Sequence, residues 1–154
     1  MIAEGQPAPD FTLLDQDGQA VTLSAQRGSP VVLYFYPKDD TPGCTTEACA
    51  FRDADADYQA AGAKILGVSP DSVKSHAKFA AKFQLNFPIL ADTETAVCQL
   101  FGVWKEKSMY GKTYMGVERT TVLIDGDGVV RKIFPKVKVP GHSEAILEAL
   151  KAMG

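Results

Sequence analysis

The sequence predicts an α/β fold with a mixed central sheet flanked by helices, and three observations carry that expectation. Residues 31–36 (Val-Val-Leu-Tyr-Phe-Tyr) are uniformly apolar and, Leu33 apart, β-branched or aromatic, as in a strand buried on both faces. Residues 63–69 (Ala-Lys-Ile-Leu-Gly-Val-Ser) repeat that pattern after a helical stretch, and a strand–helix–strand order makes the two strands parallel. Two further β-branched-rich segments, 119–124 and 129–134, flank Asp125-Gly126-Asp127-Gly128 and read as an antiparallel hairpin. Parallel and antiparallel neighbours together make the sheet mixed.

Bulk properties bound the rest. A chain of 154 residues, 45% hydrophobic, is expected to form a single domain over 1–154, burying roughly 70% of the unfolded chain's surface. Sixteen basic against 19 acidic residues give a formal charge of −3, with no basic excess for nucleic acid or a membrane surface. The segment Met1-Ile2-Ala3-Glu4-Gly5-Gln6-Pro7 has neither the charged nor the apolar region of a signal peptide, and no apolar run approaches membrane-spanning length. Three cysteines, an odd number, argue against a structural disulfide framework. The expected location is the cytoplasm, with the cysteines reduced at rest.

In chain order, residues 10–24 form a hairpin about Asp15-Gln16-Asp17-Gly18. The buried strand follows, ended by Pro37, whose ring removes a ladder donor. A helix begins near Pro42; Ala48, Phe51 and Tyr58 mark its packed face and Gly62 its stop. The strand at 63–69 precedes a helix over 70–82 with Val73, Ala77 and Ala80 on one face. A short strand at 87–90 and a short helix at 95–101 come next. Residues 102–118 are glycine-punctuated, carry Trp104, Met109, Tyr110, Tyr114 and Met115 without regular period, and read as a long loop. After the 119–134 hairpin, Ser143 can cap a last helix bearing Ile146, Leu147, Leu150 and Met153. This order resembles a thioredoxin-type fold with an N-terminal β-hairpin extension, which by itself says nothing of function.

Chemistry concentrates where the 31–36 strand meets its helix. Thr41 suits the N-cap, its hydroxyl accepting from an orphan amide, and Pro42 suits the first helical position. Cys44 then lies in the first turn, where free amides and the helix dipole favour a thiolate. The alternative, a small buried hydrophobe, is the ordinary state of a lone cysteine. Pro37-x-x-x-Thr41-x-x-Cys44 after a buried strand, the Cys44-x-x-x-x-Cys49 spacing and the downstream Arg119 resemble the peroxiredoxins. The similarity is to their bacterioferritin comigratory protein, or Q-type, branch. Tyr34-Phe35-Tyr36-Pro37-Lys38 and Phe101-Gly102-Val103-Trp104 belong to the same resemblance, which covers nearly the whole chain.

The resemblance implies a thiol-dependent peroxidase acting on hydrogen peroxide and organic hydroperoxides, with no metal, haem or flavin. It implies that Cys44 attacks the peroxide, that Thr41 orients peroxide or thiolate, and that Pro42 shields the site from bulk water. It also implies that Arg119 favours the Cys44 thiolate and stabilises the oxygen released, and that Glu47 orients Arg119 by a bidentate pair. Read alone, Arg119 would be a solvated charge at a strand end and Glu47 an acidic residue in a helix's early turns. Cys49 is the implied resolving residue, forming an intramolecular disulfide with Cys44 that thioredoxin or a similar carrier reduces, in a monomer. Some Q-type relatives resolve with a cysteine on another helix. Here Cys98, among Val97, Leu100 and Phe101, is expected to be structural.

Two rivals remain. A thioredoxin-like disulfide oxidoreductase would want Cys-x-x-Cys rather than four intervening residues. A non-catalytic redox sensor or partner-binding module would share the first chemical step. Asp125-x-Asp127-Gly128 lacks the remaining ligands of a calcium loop and is read as a turn. His76 and His142 show no metal spacing with the cysteines; they are expected on a helix flank and in a loop or cap.

Overall fold

The computed structural model describes residues 2–153; Met1 and Gly154, the ends of the expected domain, lie outside them. A seven-stranded sheet runs in the order β2-β1-β5-β4-β3-β8-β9. Inside it β3 (Val31–Phe35) lies parallel to β4 (Lys64–Ser69), the middle strand, on one side and antiparallel to β8 (Thr120–Ile124) on the other. Parallel β5 (Ile89–Ala91) follows β4, and β9 (Val130–Phe134) closes the other edge. The N-terminal hairpin, β1 (Thr12–Leu14) and β2 (Ala20–Thr22), joins through the antiparallel pair Leu14–Ala91, so the extension is part of the sheet.

Strand alternation divides the core into two layers. Val31, Leu33 and Phe35 pack with Leu66, Val68, Val122 and α4 (Ala96–Leu100). Val32, Tyr34 and Tyr36 point the other way, onto α1 (Pro42–Asp53), α2 (Asp55–Ala60), α3 (Val73–Phe83) and α5 (His142–Met153). Tyr34 lies flat over Gly67, where a Cβ would come within 2.9 Å of its ring. A side chain there would need the ring to move.

Five expectations change. The helix after β3 breaks at Ala54 (φ −92°, ψ 12°) into α1 and α2. Ala48, Phe51 and Tyr58 are all buried as their spacing requires, but spacing reports a shared face and not an unbroken backbone ladder. α3 buries His76, Phe79 and Ala80 while Ala77 is exposed, because the phenyl ring at 79 brings far more apolar area than alanines do.

Residues 102–118 are not a loop. Trp104–Met109 (β6) pairs antiparallel with Lys112–Val117 (β7), turning through Tyr110 (φ 52°) and Gly111 (φ 76°), the double left-handed pair a two-residue hairpin demands. Most of the ribbon is exposed, so no apolar alternation announces it. Ser143 lies inside α5 rather than capping it, and its hydroxyl meets the Tyr58 hydroxyl at 3.0 Å. His142 is the first residue of that helix, buried, with Nε2 2.8 Å from Thr121 Oγ1. Asp125 Oδ1 accepts from the Asp127 and Val129 amides, the turn expected there.

Candidate active site

Two neighbouring interior strands, β3 and β8, converge on one point. β3 leads through Tyr36 and Pro37 into residues 38–41 and then α1, so Cys44 is the third residue of a helix rising from the carboxyl end of that interior strand. The β3–β8 register pairs Phe35 with Thr120, which places Arg119 against the same strand end. The meeting of residues 75 apart in sequence is therefore a consequence of sheet register.

Arg119 divides its guanidinium between two groups. Nη2 donates to Cys44 Sγ at 3.3 Å, and Nη1 donates to Glu47 Oε1 at 2.6 Å. The pair is one oxygen to one nitrogen, not the bidentate pair the resemblance implies, because the second amine serves the sulfur. Glu47 is 2% exposed, and its Oε2 has no hydrogen-bond partner among the described residues. Burial pushes the Glu47 carboxyl up to about 7 against the pull of Arg119. Arg119 itself, despite the cost of its own burial, is held above its ordinary value by Glu47 and Cys44. Gly43 has a steric reason to lack a side chain, since a Cβ there would sit 3.2 Å from Arg119 Nη2.

Thr41 occupies the N-cap position, but its hydroxyl does not cap the helix. Oγ1 donates to Lys38 O at 2.8 Å, tying off the turn between β3 and α1. Asp40, between them, is left-handed (φ 55°). Pro42 is exposed at the helix start above the buried Cys44, and Pro37 is half-buried behind the strand. Cys49 lies partly exposed on the same intact α1, and all three cysteines are free. Cys98 is buried in the layer on the far side of β3 from Cys44, and burial, with Asp92 beside it, pushes its thiol well above the ordinary value.

Two groups were not legible beforehand. Lys107 on β6 is held below the usual lysine range by burial and by Arg119, with Cys44 and Glu118 acting the other way, so the ribbon belongs to the site's electrostatic surroundings. His76, expected on a helix flank, is fully buried, with Nδ1 2.7 Å from Asp39 Oδ2 and Nε2 2.9 Å from Leu90 O. Asp39, Asp71 and His76 bring possible metal-ligand atoms within 4.8 Å of one another. Those carboxylates and the imidazole are already spent on hydrogen bonds, so the group reads as a polar network.

Residues 4–133 match the AhpC/TSA family. The chain is 50% identical over 152 residues to peroxiredoxin Bcp of Bacillus subtilis, spanning 99% of this chain and 97% of that one. The chain is a peroxiredoxin. The peroxiredoxin is also 46% identical over 150 residues to Escherichia coli peroxiredoxin Bcp, across 97% of this chain and 96% of that protein. Among solved structures, a Xanthomonas campestris bacterioferritin comigratory protein matches this peroxiredoxin with TM-score 0.89 at 50% identity, covering 93% of this chain and 91% of that one. A Xylella fastidiosa PrxQ variant matches with TM-score 0.94 at 39% identity over 99% and 98%. The thioredoxin-like fold and the Q-type branch expected from sequence are those of these relatives.

Proposed function

We propose that this peroxiredoxin reduces hydrogen peroxide and organic hydroperoxides with Cys44 as the attacking group. The observation that carries the reading is the guanidinium shared between Cys44 Sγ and buried Glu47. The Cys44 thiolate attacks one peroxide oxygen and the O–O bond breaks. That oxygen stays on sulfur as a sulfenic acid, and the other leaves as alkoxide, taking a proton to become alcohol or water. Arg119 Nη2 lies beside the reacting sulfur, placed to stabilise negative charge as it moves to oxygen. Glu47 holds the other end of the guanidinium and keeps it from swinging to solvent. Thr41 and Pro42 form the rim through which peroxide would approach.

Cys49 then attacks the Cys44 sulfenic sulfur, expelling water and leaving an intramolecular disulfide, which a dithiol carrier of the thioredoxin class reduces by exchange. Cys98 takes no part, being buried across the sheet. Supporting an alkyl peroxide substrate is the Xanthomonas relative, described through its alkyl peroxide reduction activity. Among the described residues no helix is long and apolar enough to cross a membrane. We place the enzyme in the cytoplasm as a single-domain monomer, since its disulfide needs no partner chain.

The test is peroxide-dependent consumption of NADPH through a thioredoxin couple, run on the wild type and Cys44→Ser. Multiple turnovers that vanish with Cys44 are expected. Thiol–disulfide exchange without peroxide would favour the disulfide oxidoreductase, and one turnover per chain the sensor.

A further inference from the structure

The turn that delivers Cys44 is anchored from beneath by a buried polar network. The Asp39 carboxylate accepts from Tyr36 Oη at 2.6 Å, from Ser75 Oγ at 2.8 Å, and meets His76 Nδ1 at 2.7 Å. The Asp39 amide donates to Asp71 Oδ2 at 2.8 Å, and that oxygen also accepts from Ser69 Oγ at 2.6 Å. His76 Nε2 faces the Leu90 carbonyl, which can only accept, so Nε2 carries a hydrogen. Nδ1 faces Asp39 Oδ2 at 2.7 Å, so the imidazole is held at both ends. One residue of the 38–41 turn is thereby bound to the ends of β3 and β4, to α3 and to β5.

The residues just beyond Asp39 show why that grip matters. Asp40 adopts φ 55°, a conformation that costs a non-glycine residue energy and persists only where the surroundings impose it. Thr41 closes the turn through its hydroxyl to Lys38 O, and Pro42 starts α1 immediately. Asp40's own ion pair, to Lys82 at 2.8 Å, is exposed and contributes little. The buried restraint on the turn is the Asp39 carboxylate, which Tyr36, Ser75 and His76 orient together, His76 being fully buried and anchored in turn to β5.

We propose that His76 and Asp39 are positioning residues for the peroxide step, fixing the turn that sets Thr41, Pro42 and the first turn of α1 against Arg119. The inference rests on Cys44 being the attacking residue. A turn free to relax out of the left-handed conformation at Asp40 would move Cys44 Sγ relative to Arg119 Nη2. Misplacement of reacting groups by about 1 Å can cost on the order of a hundredfold in rate. Reduction of the disulfide by a carrier would be spared, because it acts on sulfurs already displaced from that geometry.

The experiment measures two second-order constants separately by stopped flow: oxidation of the reduced protein by hydrogen peroxide, and reduction of the disulfide form by thioredoxin. Asp39→Asn and His76→Gln are each expected to slow the first by about tenfold or more and to leave the second within about twofold. His76→Gln can still reach Leu90 O but not Asp39, so it removes the contact at issue and keeps the other. Ser75→Ala removes only one donor to Asp39 from a half-buried position and carries the test if the others do not fold; a loss of about threefold on the peroxide step alone is expected.

Unchanged peroxide constants in folded variants, or equal losses in both constants, would overturn the proposal. Retained peroxidase activity in Cys44→Ser would instead overturn the reading of the site on which it rests.

Discussion

Replacing Glu47 by glutamine should change how stability depends on pH. The carboxyl is buried, has one oxygen on Arg119 and one without a partner, and is pushed from an ordinary 4.5 to about 7, burial being the dominant cause. Because the folded chain holds this proton more tightly than the unfolded chain, the group's contribution is complete below about pH 4.5. It is then lost as pH rises through about 7. At about 1.4 kcal/mol for each tenfold change in proton affinity, the loss is about 3 kcal/mol, a large part of an ordinary domain's stability.

The Glu47→Gln variant would keep a neutral acceptor for Arg119 Nη1 and nearly the same volume, but would have no proton to lose. Urea unfolding of both proteins under reducing conditions, at intervals from about pH 4 to 8.5, isolates the effect. His142, lowered to about 4 by burial, titrates in both proteins and cancels in the difference. The difference should shift towards the variant by about 3 kcal/mol between the ends of that range. A difference that stays flat within experimental error would refute the reasoning and mean that water or Arg119 solvates the carboxylate fully.

Arg119→Met removes the donor to Cys44 and the only partner of Glu47 among the described residues, and should lower kcat/KM for peroxide by about a hundredfold, as loss of one charge-stabilising donor does elsewhere; a loss under about tenfold would remove Arg119 from the chemistry. Cys44→Ser should abolish peroxide reduction, Cys49→Ser should form a sulfenic acid but turn over poorly with thioredoxin, and Cys98→Ser should be nearly silent. A Cys44–Cys98 linkage in mass mapping of the oxidised protein would reverse the last two. Gly43→Ala should raise helix propensity by up to about 1 kcal/mol yet slow the peroxide step several-fold by displacing Arg119 Nη2; a stabilised variant with unchanged rate would refute it. Residues five apart on a helix have Cα atoms roughly 8.5 Å apart, beyond the ~7 Å a disulfide spans. Oxidised protein should therefore lose amide protection across residues 45–51, and full protection alongside a Cys44–Cys49 bond would sink the unwinding.

What could be read from sequence was what local pattern controls. The βαβ core followed from apolar runs, and Cys44 at a helix start followed from strand, proline and N-cap in succession. Arg119 and Glu47 as partners came only through the family resemblance, since their contact depends on β3–β8 register. His76 was misplaced because a histidine on a helix reads as polar; both of its partners, Asp39 and the Leu90 carbonyl, are distant in sequence. The ribbon at 104–117 was missed for the opposite reason: it buries too little to show alternation, and its one local signal was Tyr110-Gly111. The Thr41 hydroxyl had two acceptable local acts, accepting from the helix or donating to Lys38 O, and side-chain preference alone does not choose between them.

The break at Ala54 limits how far oxidation can spread. If α1 opens to bring two sulfurs together, the disturbance meets a residue already outside helical geometry, and α2 begins with a hydrogen-bond ladder of its own. Tyr58 can stay seated on Ser143 while the 12 residues of α1 come apart. The melting segment would act like a sash hung between two fixed frames, the pinned turn before it and the short helix behind it. Limited proteolysis of the disulfide form should then cut within α1 and nowhere in the following helix.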